Sequence, residues 1–71
     1  MNNLIITKSN LHIGNKSRFY TAKAMYNNIK LNITYDCKSQ DIIIHDWYNL
    51  SENQIAKVIA ELKKYFENIA A

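Results

Sequence analysis

The strongest constraint on this chain is a single amphipathic stripe near its C-terminal end. Ile55, Val58, Ile59, Leu62, Tyr65, Phe66 and Ile69 recur at helical spacing, while Lys57, Glu61, Lys64 and Asn68 fall on the opposite side. Ser51 is a good N-cap, and Gln54 three residues later completes a capping box. Leu50 and Ile55 are placed to staple across that cap. Glu52 suits the positive end of the helix dipole. The spacing predicts a helix over 52–68. An apolar stripe this long must be buried against another layer, and the rest of the chain has to supply it.

That layer reads as a sheet. Residues 18–26 and 29–37 alternate as two strands around Asn27-Asn28, and Asn tolerates the left-handed geometry of a two-residue turn. Such a turn sets Tyr26 opposite Ile29, Ala24 opposite Leu31, Ala22 opposite Ile33 and Tyr20 opposite Tyr35. These eight form one apolar face, with the two alanines leaving room for the helix. A turn at Lys38-Ser39-Gln40 leads to a further strand over 41–48, apolar on both sides and therefore ambiguous in register. Residues 3–8, with 11–13 as a further piece, suggest an edge strand. The expected fold is α+β: an antiparallel three- to four-stranded sheet covered on one face by the C-terminal helix, in the order β-β-β-β-α, as a single domain over 1–71.

One helix covers one face. The hairpin turns Phe19, Thr21, Lys23, Met25, Lys30, Asn32, Thr34 and Asp36 the other way. If Ile42 and Ile44 point inward, Ile43, His45 and Trp47 join them; the opposite register exposes Ile42, Ile44 and Tyr48 instead. Aromatic and apolar side chains rimmed by charge mark binding surfaces, and Phe19, Lys23, Met25, Lys30, His45 and Trp47 are the candidate partner-binding residues. Ordinary exposure and a sheet-to-sheet homodimer are the competing accounts of the same face.

Charge adds direction. Lys8, Lys16, Arg18, Lys23, Lys30 and Lys38 stand against Asp36 alone in the first 38 residues, whereas acids outnumber bases in the remainder. Lys8, Lys16 and Arg18 are the added candidates for nucleic-acid contact, since lysine and arginine meet phosphates and aromatics stack on bases.

Chemistry has little to build on. With 71 residues, the domain buries about 60% of its unfolded surface, and a substrate cavity of roughly 300 Å³ is hard to enclose. His12, His45, Cys37, Asp41 and Asp46 have no metal-ligand spacing. The single Cys37 permits no intrachain disulfide and reads as a small core residue. The single glycine excludes a glycine-rich phosphate loop, and no cofactor fingerprint is present. An apolar run of three residues near the start is too short for a signal core or a membrane span. The expectation is a cytoplasmic, non-enzymatic chain without cofactor.

No motif is specific enough to name a family. The strand-strand-strand-helix order resembles that of sheet-based DNA readers such as the arm-binding domains of phage integrases. The Asn-rich, glycine-poor chain is similar in kind to the small inhibitors of phages and mobile elements, anti-CRISPR proteins among them. The latter likeness implies stoichiometric occupation of a protein or nucleoprotein partner in the host cytoplasm. The former implies a nucleic-acid-binding module using a basic, aromatic sheet face.

Overall fold

Asn27 and Asn28 both adopt left-handed backbone, with φ of 49° and 68°. The twist of such a turn matches that of the strands it joins. It connects β2 (Arg18–Tyr26) to β3 (Ile29–Asp36) in the expected register, Tyr26 opposite Ile29 through Tyr20 opposite Tyr35. The computed structural model describes residues 4–70. Before the hairpin runs β1 (Leu4–Ile13), and after it come β4 (Ile42–Ile44), a 3-10 turn (Trp47–Asn49) and α1 (Glu52–Ala70). The four strands form one antiparallel sheet in chain order, β1-β2-β3-β4. The fold is α+β, as expected.

The capping box is made in both directions. The Ser51 N–H donates to Gln54 Oε1 at 2.9 Å, and the Gln54 N–H donates to Ser51 Oγ at 3.3 Å. Val58, Leu62 and Phe66, one turn apart, are 0% exposed against the inner face of the sheet. Phe66 stacks on Tyr35 at 4.5 Å and 5° and leans on Tyr20 at 5.8 Å. Ala22 and Ala24 are buried in the same cluster, beside the bulk of Tyr20 and Tyr26. Tyr65 ties the helix to β1, its hydroxyl 2.9 Å from Ser9 Oγ. Ile69, counted in the stripe, is 39% exposed, and its carbonyl accepts the Tyr20 hydroxyl at 3.4 Å.

Two strands differ from expectation. β1 is one continuous strand where two pieces, 3–8 and 11–13, were expected; residue 3 lies outside the described residues. Its pairing with β2 shifts by one residue between Ile6 and Lys8. Leu4 and Ile6 face the helix before the shift, and Ser9 and Leu11 face it after. A bulge at Thr7 absorbs that change of phase, since one extra residue inverts every side chain beyond it. The Thr7 hydroxyl donates to the Lys23 carbonyl at 3.1 Å.

β4 spans 42–44 where 41–48 was expected. Its register is settled: Ile44 is buried, Ile42 partly so, and Ile43 faces out. One more ladder bond follows, from the His45 N–H to the Asn32 carbonyl at 2.8 Å. Asp46 then ends the pairing. Its Oδ2 accepts from the Asn32 backbone N–H at 2.8 Å and from Asn32 Nδ2 at 2.9 Å, filling the place of a strand carbonyl. With that donor satisfied by a side chain, the backbone turns off the sheet and returns Leu50 to the core. Trp47 is consequently not a strand residue.

Candidate functional site

The face of the sheet away from α1 divides into bands. In the first, Lys8 and Lys23 lie directly opposite one another on β1 and β2. Lys23 opposes Asn32, so Lys30 on β3 is its diagonal neighbour. All three lysines are exposed. Among the described residues the one ion pair is Lys64–Glu61 at 3.9 Å, on the helix. Opposed like charges destabilise a strand pair, and here no carboxylate bridges them. Shallow hollows of about 230 and 450 Å³ lie on either side of Lys23, the first floored by Asn10, Thr21 and Thr34, the second bordered by Met25 and Lys30.

The second band is a polar row across the whole sheet. His12 Nε2 lies 2.9 Å from Thr21 Oγ1, Thr21 opposes Thr34, and Thr34 Oγ1 lies 2.8 Å from His45 Nε2. In the third, His12 also stacks on Phe19, centroids 4.9 Å apart and 16° from parallel. Asp36 opposes Phe19, but its Oδ1 accepts from the Lys38 and Ser39 N–H groups at 2.8 and 3.2 Å, so that carboxylate is engaged in its own turn.

The bulge assembles this face. Without it Lys8, Asn10 and His12 would point toward the helix. The residues read from the sequence are thus brought together in part. Phe19, Lys23, Met25, Lys30, His45 and Lys8 share the face. Trp47 stands beyond the end of β4, 59% exposed, its ring edge-on to Tyr48 at 6.3 Å. Lys16 and Arg18 belong elsewhere. Arg18 opposes Ile13 and has the parity of Tyr20, while Lys16 sits in the β1–β2 loop. With Lys38 and Glu67 they border an open depression of about 660 Å³ at the end of the sheet. The expected basic set is therefore two sets. His12, weighed from the sequence only as a metal ligand, and Asn10 join this face; the signal for them is the switch of apolar parity between Ile6 and Leu11, which marks a bulge.

Reactive groups stay apart. Cys37 packs against the core, and its N–H donates to the Arg18 carbonyl at 3.0 Å, whereas His45 lies on the open face. Among the described residues no three His, Cys, Asp or Glu side chains gather as metal ligands would. Burial, and secondarily the charges of Cys37, Glu67 and Asp36, hold the Tyr35 phenol above its ordinary value and keep it neutral. No helix among the described residues is long and apolar enough to cross a membrane.

The class these features define is an α+β domain with one helix-covered and one uncovered sheet face. Compared with family models, with curated proteins and with solved structures, the chain matches none.

Proposed function

We propose that this is a non-enzymatic binding protein of the cytoplasm that acts by stoichiometrically occupying a protein or nucleoprotein partner through the uncovered sheet face. It would work in the manner of the small inhibitors of phages and mobile elements. The observation that carries this reading is the opposed pair Lys8–Lys23 with Lys30 on its diagonal, on a face that no helix covers. Like charges opposed in this way, with no ion pair to a carboxylate among the described residues, cost stability, and an anionic partner surface is what would offset that cost. His45 and Phe19 complete the surface, with Met25 at its margin. Rim charges of this kind guide encounter and select the partner's sign more than they set final affinity.

The test is affinity capture from a native host extract with the wild-type chain and with the Lys8→Glu, Lys23→Glu, Lys30→Glu triple variant. The expected result is one partner at fixed ratio with the wild type and none with the triple variant, both proteins melting cooperatively. Equal capture by the two would place the interface elsewhere and refute the assignment.

A further inference from the structure

We infer that the anionic component taken by this face is single-stranded nucleic acid. The inference rests on the reading that the open face is the working surface, and it adds the chemistry of the occupant. Three observations converge on it. The three lysines lie on β1, β2 and β3, Lys8 and Lys23 opposed and Lys30 stepped two residues along β3 opposite Met25, so their positive charges form a stepped row across the strands. That is the arrangement that follows a phosphate backbone. The His12–Phe19 stack lies on the same face, with Phe19 four residues along β2 from Lys23, about 14 Å at ~3.4 Å per residue. Between them lies the hydrogen-bonding floor of Thr21 and Thr34, lined by His45, within a hollow of about 230 Å³.

Each alternative occupant uses only part of this. An acidic peptide satisfies the lysines but has no use for a parallel aromatic stack. A duplex presents phosphates but keeps its bases paired, so it has no free base to extend the His12–Phe19 stack. The face here is a sheet interior with short Thr and Asn side chains at its centre. An unpaired base can extend the His12–Phe19 stack while phosphates further along the same strand reach Lys23 and Lys8, which is how aromatic platforms beside basic grooves hold single strands. The distance between row and stack fits within the footprint of about 4 or more nucleotides that small single-strand-binding folds use.

Fluorescence anisotropy tests this with labelled oligothymidylate of about 12 nucleotides, the matching duplex and polyglutamate, at low salt. Oligothymidylate is expected to bind most tightly, its log affinity falling against log salt with a slope of about −2, as three single-strand phosphate contacts imply. Lys8→Gln, Lys23→Gln and Lys30→Gln together should flatten that slope and weaken binding more than about tenfold. Phe19→Ala should weaken the oligonucleotide about tenfold and leave polyglutamate unchanged. Phe19→Leu, which keeps the half-buried bulk, should show the same selectivity with the fold intact. Lys57→Gln with Lys64→Gln, on the helix, should change nothing. If polyglutamate binds as tightly as oligothymidylate and neither Phe19 variant matters, the face takes an acidic protein, and the nucleic-acid inference is overturned while the proposed function stands. If no polyanion binds at low salt, the nucleic-acid inference is overturned, and the capture test above decides the proposed function by itself.

Discussion

Replacing Lys23 by Gln should make the protein more stable, a result that runs against the usual direction of point substitutions. Lys23 has one like charge directly opposite, Lys8, and one on the diagonal, Lys30. Two ammonium groups held about 6 Å apart, a little beyond the Cβ spacing of an opposed pair, would repel by about 0.7 kcal/mol in water, an upper figure for flexible lysines, and the diagonal pair by somewhat less. At ~0.01 M salt the Debye length is about 30 Å, and removing both repulsions should yield about 1 kcal/mol. For a domain of this size that raises Tm by roughly 4–8 °C. At ~1 M salt the Debye length shrinks to about 3 Å, and the gain should fall below about 1 °C. Thermal melts of wild type and Lys23→Gln, at both salt concentrations, measure this directly. The salt dependence matters because a change in strand propensity would shift both melts equally. A variant that melts at or below wild type in low salt, or one whose gain persists in high salt, would show that the lysine row is not electrostatically strained. An anionic partner would then have no strain to relieve. The same substitution should weaken partner binding, so stability and function are predicted to move in opposite directions.

Leu62→Ala removes a side chain with no exposed surface from the middle of the Val58–Leu62–Phe66 line and should cost about 2–5 kcal/mol, a large part of the roughly 5–15 kcal/mol available to a small domain. Denaturant melts would show it, whereas Lys64→Gln, which breaks the exposed 3.9 Å pair with Glu61, should cost no more than about 0.5 kcal/mol; similar midpoints for the two variants would contradict the packing described. The Tyr35 phenol, raised above 10.0 by burial first and by the charges of Cys37, Glu67 and Asp36 second, holds its proton more tightly in the folded chain than in the unfolded one. Its contribution is therefore intact below pH 10 and is lost as pH rises through the folded value, so Tyr35→Phe should lose Tm less steeply than wild type above about pH 10. Parallel slopes would refute that account.

What the sequence determined by itself is what neighbouring residues encode among themselves. The Ser51–Gln54 box, the period of α1 and the paired left-handed asparagines each act within a few residues, and each is found where its local chemistry places it. The hairpin register followed from the turn, and the inner set of Tyr20, Ala22, Ala24, Leu31 and Ile33 followed from the register. The candidate face was legible to the same extent: Phe19, Lys23, Met25 and Lys30 are fixed by β2–β3 parity alone. Only the tertiary structure decided the rest, because it depends on groups far apart in the chain. Asp46 ends β4 by binding Asn32, 14 residues earlier, so the run of isoleucines could not show that Trp47 leaves the sheet. The bulge at Thr7 keeps Leu4 and Ile6 against the core and Ser9 beside Tyr65 while β1 pairs with β2, and it turns Lys8 and His12 outward. Arg18 and Lys16, close to Lys23 in sequence, part from it because strand parity and the loop carry them to the other side and the end of the sheet. Local free energies wrote the elements; the pairing of distant backbone groups decided which charges share a face.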